Sequence, residues 1–165
     1  EKATRKFVED LYEGYGFTAQ QAKDIADVLL MADLYGIESH GIQRLIRYHD
    51  GIQEGLICPK AEPVITHETK LSAVIDAKMA MGQVVSKMAM QMAIDKAKEH
   101  GFGAVVVNHS NHYGIAGYYT KMAADNDLVG MCMTNTEAIA IATNGKNYYI
   151  CLKYARKLCL KVFSL

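Results

Sequence analysis

AVVVNHSNHYGIAGYYTKMAADNDLVGMCMTNT, residues 104–136, places a polar, helix-forming stretch between two apolar runs. The first run, residues 104–108, is compact and β-branched, which is typical of a buried strand. Residues 114–126 have the pattern of a helix, and residues 128–136 read as a second buried strand. Strand, helix and strand in this order predict a βαβ unit, so at least part of the sheet is parallel.

Helices and short strands are predicted for the residues that precede this unit. The predicted helices cover residues 2–14, 18–34, 41–52 and 82–100, and the predicted strands cover residues 64–68 and 72–77. Thr18 and Gln21 have capping-box spacing for the second helix, and Gly101 suits the end of the fourth. The predicted fold class is α/β, with N-terminal helices and a mixed, partly parallel sheet with flanking helices.

Three segments are expected along the chain. Residues 1–62 form a helical segment with the SHG motif, residues 63–143 form the α/β portion, and residues 144–165 form a divergent tail. The tail carries five basic residues and no acidic one, whereas the rest of the chain has 13 basic and 18 acidic residues. This shift indicates a basic amphipathic helix or a segment foreign to the fold. Because the chain starts at Glu1 without methionine, missing upstream residues are expected.

Composition excludes several classes of protein. The 165 residues carry 18 basic and 18 acidic side chains, so the zero net charge gives no case for nucleic-acid binding. No apolar run is long enough for a transmembrane helix, and no membrane partner is expected. The four cysteines form no CxxC pair, which favours a reducing, cytoplasmic location. They are Cys58, Cys132, Cys151 and Cys159.

SHGIQRLIRYHDG, residues 39–51, concentrates groups that bind anions and move protons. On one helix, His40, Arg44 and Tyr48 share a polar stripe, with Ser39 at the N-cap. The apolar residues of this helix are expected to face the core: Ile42, Leu45 and Ile46. Arg44 and the helix end would attract a small carboxylate, and a histidine beside it could transfer a proton. The alternative is a capped surface helix with an exposed stripe.

The loop within NHSNHYGIAGYY, residues 108–119, strengthens the functional interpretation. Ligands of α/β proteins bind at the carboxyl ends of parallel strands, and Gly114 permits close backbone approach. The next strand end adds polar residues 134–136 at the same edge. His109 and His112 could be half of a metal site, but no third ligand has suitable spacing, so no metal is expected and a metal hydrolase is the weaker reading.

The segments DLYGIESHGIQRLIRY, GLICPKAEP and GQVVSKMAMQMAIDKAKEHGFGAVVVNHSNHYG, with the rest of the unit through TNT, closely resemble the malate/L-lactate dehydrogenase family of the non-Rossmann type. That family includes ureidoglycolate and sulfolactate dehydrogenases and diketogulonate reductase. The absence of a GxGxxG turn agrees with a non-Rossmann dehydrogenase fold. The resemblance implies NAD- or NADP-dependent hydride transfer between an L-2-hydroxy acid and its 2-oxo acid, in a homodimer.

The resemblance also implies roles for individual residues. His40 and His112 would be the proton-handling, catalytic histidines, and His112 is slightly favoured as the main acid/base. Ser39 would support its neighbour in the substrate site. Arg44 and Tyr48 would hold the substrate carboxylate.

The cofactor would lie beside Asn111, Gly114, Thr134 and Thr136, according to the same resemblance. The resemblance ends near Asn147, and family members are about twice as long as this chain. We therefore expect the tail to be an out-of-frame or truncated reading of a longer gene. The alternative function is a truncated, non-catalytic fragment that dimerises without turnover.

Overall fold

The computed structural model describes residues 2–134 throughout and the backbone of residues 140–141, 148–149 and 157–164 beyond them. The helices are α1 (Lys2–Gly14), α2 (Ala19–Leu34), α3 (Leu45–Gln53), α4 (Gly82–His100) and α5 (Ala116–Ala124). Two 3₁₀ helices, Glu38–His40 and Ile42–Arg44, connect α2 to α3. The strands are β1 (Val64–Glu68), β2 (Ser72–Asp76), β3 (Phe102–Asn108), β4 (Leu128–Met133), β5 (Ala140–Ile141), β6 (Tyr148–Tyr149) and β7 (Lys157–Ser164).

A mixed five-stranded sheet has the order β1-β2-β3-β7-β4, and β5 pairs with β6. β2 runs parallel to β3, whereas β7 is antiparallel to both β3 and β4. β3 and β4 therefore point the same way on either side of β7, as a βαβ unit requires. The predicted α/β class with a partly parallel sheet is confirmed. A basic amphipathic helix is wrong for residues 157–164, which form β7.

Two hydrophobic clusters hold these elements together. One packs α4 and α5 against the sheet through side chains such as Ile75, Ile94 and Val107. The other joins α1, α2 and α3 through residues such as Ile25 and Tyr48. Each fully buried large aliphatic side chain stabilises the fold by about 1.5–3 kcal/mol. Because α2 contributes to both clusters, it connects the helical part to the sheet.

The predicted helix ends are confirmed where local chemistry decides them. The Thr18 hydroxyl accepts from the Gln21 N–H at 3.2 Å, and the Gln21 side chain accepts from the Thr18 N–H at 2.9 Å. Gly101 ends α4 with φ of 78°, in the left-handed region that favours glycine. The segment boundaries predicted at residues 62 and 143 stay a prediction, and residue 143 lies outside the described residues. No helix in the described ranges is long and apolar enough to cross a membrane.

The third helix was predicted from residue 41, but α3 begins only at Leu45. Ser39 is not its N-cap; it lies inside the first 3₁₀ helix. The Asp33 carboxylate, from α2, instead accepts from the Ile42 N–H at 3.0 Å. This contact requires glycine at position 41, because a Cβ there would overlap the Asp33 carboxylate. A contact between two elements therefore replaces the local cap that the sequence suggested.

The polar stripe predicted for one regular helix is also wrong, because two of its three members precede α3. Tyr48 is 1% exposed and belongs to the helical core, whereas Ile46 is 74% exposed. Ile42 and Leu45 do pack against that core, as predicted. Within α3, Tyr48 lies three residues after Leu45 and shares its core-facing side, whereas Ile46 lies off that side.

Candidate active site

A pocket of about 600 Å³ lies between the segment 39–57 and the loop that follows β3. Its lining combines cationic, acidic and apolar side chains of the first segment with an amide and an imidazole of the loop. The lining residues are Ser39, Gln43, Arg44, Ile46, Arg47, Tyr48, Asp50, Gly51, Glu54, Leu56, Ile57, Asn111 and His112. Five of the residues singled out from sequence, from two separate segments, thus meet around one space.

The two predicted catalytic histidines lie side by side. The ring centroids of His40 and His112 are 5.2 Å apart with an interplanar angle of 33°. The Tyr48 hydroxyl lies 2.7 Å from Nδ1 of His112. Nε2 of His112 is therefore the ring nitrogen that remains for a ligand in the pocket. The Ser39 hydroxyl lies 2.9 Å from Nδ1 of His40, so it is placed to orient that ring.

Arg44 is held by its neighbour in the same segment. Its Nε donates to the Ser39 carbonyl at 2.5 Å, which leaves the two terminal nitrogens without a partner among the described residues. Two parallel N–H donors match the geometry of a carboxylate. Arg47 lines the same pocket and likewise has no acidic partner in the described part of the chain. The sequence analysis did not single out Arg47, because the helix predicted from residue 41 placed it off the polar stripe.

Electrostatics keep both histidines neutral near pH 7. Burial, followed by the charges of His40, Arg44 and Arg47, lowers the pKa of His112 to about 4. Burial and the charge of Arg44 also lower the pKa of His40. The pKa of the buried Tyr48 hydroxyl rises to about 12, so it stays protonated. The two arginines therefore give the pocket guanidinium groups that can bind an anion, beside the two acidic side chains of the same lining, and both histidines are neutral near pH 7.

Gln83 is a site residue that the sequence analysis missed. It lies in the first turn of α4, is fully buried, and donates through Nε2 to the Tyr48 hydroxyl at 2.9 Å. A buried amide on an otherwise apolar helix face was the available signal, but helical periodicity alone did not identify it. Gln83, Tyr48 and His112 form a continuous chain of hydrogen bonds from α4 to the pocket.

The start of α4 lies directly against the loop that carries His112. A Cβ at Gly82 would overlap the carbonyl oxygens of Asn111 and His112. We expect Gly82→Ala to lower the free energy of unfolding by about 1–3 kcal/mol and to displace His112, since these backbone atoms cannot yield as a flexible side chain could. Denaturant unfolding measures the change in the free energy of unfolding, and enzyme activity reports the displacement of His112.

Gly117→Ala is the matched control for this substitution, because Gly117 is in the first turn of α5 and a Cβ there meets nothing within 4 Å. It is expected to stabilise the protein by up to about 1 kcal/mol. Equal stability changes in the two variants would contradict the close approach at Gly82.

The two predicted cofactor residues of this loop have structural contacts. The Asn111 side-chain amide nitrogen donates to the backbone carbonyls of Leu56 (3.0 Å), Met79 (3.2 Å) and Ala80 (3.2 Å). Gly114 has φ of +81°, and a Cβ there would meet the Val28 side chain at 2.5 Å. Both residues fix the loop against the protein core. Their contact with a cofactor stays a prediction.

Other predicted positions do not line this pocket. His109 is exposed, and its Nδ1 lies 3.1 Å from the Asp76 carboxylate. No group of three or more potential metal ligands occurs among the residues with described side chains. Thr134 follows the end of β4 and is exposed, whereas Thr136 lies outside the described residues. Their placement beside a cofactor remains a prediction.

Residues 1–151 match the family model described as malate/L-lactate dehydrogenase. The chain belongs to the malate/L-lactate dehydrogenase family. The family resemblance inferred from the SHG and NHYG motifs is thereby confirmed. The absence of a GxGxxG turn, which marks a Rossmann site, agrees with this membership.

Relatives within the family agree in sequence and in fold. A malate dehydrogenase of Pyrococcus abyssi is 47% identical over 139 residues, which cover 84% of this chain and 38% of that protein. A solved sulfolactate dehydrogenase from Methanocaldococcus jannaschii superposes with a TM-score of 0.82 at 42% identity, covering 88% of this chain and 42% of that one. A ureidoglycolate dehydrogenase (NAD(+)) of Escherichia coli is 30% identical over 152 residues, covering 90% and 44%. The chain spans about two fifths of these relatives' lengths.

Proposed function

We propose that this protein is an oxidoreductase that transfers hydride between an L-2-hydroxy acid and its 2-oxo acid. The observation that carries the proposal is the meeting of Arg44 and His112 in one pocket, with His40 beside the His112 ring, in a chain of this family. Hydride arrival at a carbonyl carbon leaves an alkoxide that requires a proton, and a positioned histidine supplies one.

Each side chain has a defined task in this proposal. The terminal nitrogens of Arg44 bind the substrate carboxylate and fix which face of the carbonyl is presented. His112 exchanges a proton at Nε2 with the substrate oxygen, and Tyr48 holds the opposite ring nitrogen. His40 packs beside His112, and Ser39 orients it. Tyr48 is less suited than Arg44 to bind the substrate carboxylate, because its hydroxyl already makes hydrogen bonds with His112 and Gln83.

The proposed cofactor is NAD or NADP, which would supply or accept the hydride. The volume of the pocket, about 600 Å³, exceeds what a three- or four-carbon acid fills, so it has space for a flat ring beside the substrate. Asn111, Gly114, Thr134 and Thr136 are the candidates to lie along the nicotinamide end. The Escherichia coli relative is named for NAD(+), which favours NAD over NADP.

Arg47 favours a substrate with a second acidic group. It provides a second guanidinium in the pocket, and it has no partner among the described residues. Two relatives are named for malate and for L-sulfolactate, both of which carry two acidic groups. We therefore propose that dianionic 2-oxo acids are better substrates than pyruvate, whose single carboxylate would occupy only Arg44.

The proposal is tested by measuring the rate at which the full-length gene product oxidises NADH and NADPH with a panel of mono- and dianionic 2-oxo acids. The expected result is saturable oxidation of the reduced nicotinamide, with higher kcat/KM for the dianionic acids. If no acid in the panel supports turnover with either cofactor, the proposed function is wrong. Turnover of pyruvate alone would reject only the assignment of Arg47.

The pH dependence should follow His112, which is faced by His40, Arg44, Arg47 and Tyr48. Its pKa of about 4 means that neutral imidazole dominates above that pH. For oxidation, which needs the neutral base, kcat/KM should rise with pH through this pKa and then become level. For reduction, which needs the proton, kcat/KM should fall as pH rises.

Substrate binding should shift this dependence. An anionic substrate offsets the positive charges around His112 and raises its pKa. The kcat profile for reduction should therefore lie at higher pH than the kcat/KM profile, as steady-state rates at constant ionic strength would show. Profiles that coincide, or that lie in the reverse order, would contradict the charge argument.

Assembly and location complete the proposal. We propose a homodimer in the cytoplasm, on the family resemblance and on the four cysteines of the sequence, which form no CxxC pair and suit a reducing compartment. The alternative of a non-catalytic dimerising fragment has no specific contact in its favour among the described residues. Sedimentation combined with NADH titration separates the two, since the fragment would associate without binding NADH.

A further inference from the structure

The Tyr48 hydroxyl has both of its neighbours fixed inside the protein. It accepts from Gln83 Nε2 at 2.9 Å, and Nδ1 of His112 is 2.7 Å away. An amide nitrogen only donates, and the Tyr48 hydroxyl has no other acceptor among the described residues, so its single proton points to His112 Nδ1. The Gly114 N–H is also directed at this nitrogen, at 3.4 Å. Nδ1 is therefore an acceptor in this arrangement, and the neutral ring carries its proton on Nε2.

This tautomer of His112 cannot carry out the proposed reaction in either direction. A neutral ring that gave away its Nε2 proton would become an imidazolate, so the proton donor must be the imidazolium, with protons on both nitrogens. The base for oxidation needs an unprotonated Nε2 and hence a proton on Nδ1. Both working forms must donate from Nδ1 to the Tyr48 oxygen, which is the reverse of the bond described above.

Gln83 has the group that this reversal requires. Once His112 donates to Tyr48, the Tyr48 proton must turn to another acceptor. Gln83 Oε1 is buried and has no hydrogen-bond partner among the described residues. A half-turn of the amide exchanges Nε2 for Oε1 at nearly the same position, and the buried oxygen then accepts from Tyr48. No covalent bond is broken, because the proton stays on the Tyr48 oxygen and only the direction of the O–H bond changes.

We propose that Gln83 is a positioning residue, whose amide turns to accept from Tyr48 and thereby holds His112 in the tautomer that exchanges a proton with the substrate. The inference rests on the proposed function of His112. An amide suits the position because it offers a donor in one orientation and an acceptor in the other without a charge. A carboxylate would fix the acceptor state alone, and an apolar side chain would support neither.

Nitrogen-15 NMR of histidine-labelled full-length protein tests this without turnover, with the His112→Gln spectrum assigning the signals. The free protein should show a protonated Nε2 and an unprotonated Nδ1 for His112. Oxalate, used as a dianionic probe of the pocket, accepts at Nε2 and should add a proton at Nδ1, which gives the imidazolium in the wild type and in Gln83→Glu. In Gln83→Met, Nδ1 should stay unprotonated. A protonation state of Nδ1 that is the same in Gln83→Met and wild type, with and without oxalate, would overturn the inference.

Steady-state kinetics provide the second measurement. Gln83→Met should lower kcat about tenfold to a hundredfold, while KM for the 2-oxo acid stays within about twofold, because Arg44 still binds the carboxylate. Gln83→Glu should recover part of kcat and shift the reduction profile to higher pH, since its charge favours the imidazolium. Gln91→Met, an exposed position on the same helix, is the control and should leave kcat unchanged.

The two proposals fail in different ways. A full-length protein that turns over no 2-oxo acid rejects the function, whereas the NMR result still decides the role of Gln83. An active Gln83→Met enzyme with wild-type kcat and pH profile rejects the role of Gln83 and leaves the function in place. If Gln83→Met does not fold, Gln83→Glu decides: a wild-type pH profile in that variant overturns the inference.

Discussion

His112→Gln is expected to reduce kcat by about 10²- to 10⁴-fold in both reaction directions, the range of general acid–base catalysis by one side chain. Glutamine has a comparable size and can still contact Tyr48, but it neither gives nor takes a proton near neutral pH. KM should change little, because the carboxylate is bound by Arg44. Single-turnover rates with the preferred 2-oxo acid isolate the chemical step from product release.

His67→Gln is the control for this substitution, since His67 is exposed on β1 and lies outside the pocket. His40→Gln tests the division of labour between the two histidines. We expect it to cost less than His112→Gln, because His112 lines the pocket, whereas His40 is not in its lining and packs beside the His112 ring. A larger loss of kcat in His40→Gln than in His112→Gln would show that His40 is the main acid/base. Full activity in both variants would refute catalysis by either histidine.

Arg44→Ala is expected to lower kcat/KM by about 10²-fold or more, since two hydrogen bonds to a charged group are each worth about 1.5–3 kcal/mol. Arg44→Lys retains the charge but loses the paired donors and the bond from Nε to the Ser39 carbonyl. It should therefore recover only part of the loss. Initial rates over a range of 2-oxo acid concentrations give KM and kcat separately.

Arg5→Lys makes the same chemical change outside the pocket, where Arg5 pairs with Asp27 at 2.5 Å. It should leave kcat/KM close to the wild-type value. Should Arg44→Lys behave like Arg5→Lys, the paired donors would have no part in substrate binding and the charge alone would suffice. A wild-type kcat/KM in Arg44→Ala would remove Arg44 from the site.

Elements whose signals are local were predicted well from sequence. The capping box at Thr18 and the C-cap at Gly101 involve residues within a few positions of each other, and both are present. β3 begins two residues earlier than predicted, at Phe102, and its apolar β-branched run correctly predicts a strand. The βαβ orientation was also correct, although β7, from beyond the residues that match the family model, lies between its two strands.

The segment around Gly41 shows where local reasoning ends. Ser39 has the chemistry of an N-cap, but Asp33, from a different helix, caps the turn at Ile42. Two 3₁₀ turns precede α3, which begins at Leu45, and Tyr48 is buried in the helical core. Nothing in residues 39–51 encodes this outcome, because it depends on how α2 packs against them.

The residue types of the candidate site were determined by the sequence: the segments SHGIQR and NHYG supply two imidazoles and a guanidinium, the groups that bind an acid and move a proton. Only the tertiary structure decided which atoms work together. It placed His112 against Tyr48 and brought in Gln83, 35 positions from Tyr48 along the chain. The physical reason is that a side chain's chemistry is fixed by its own atoms, whereas its protonation and hydrogen-bond direction are set by neighbours that packing alone brings near.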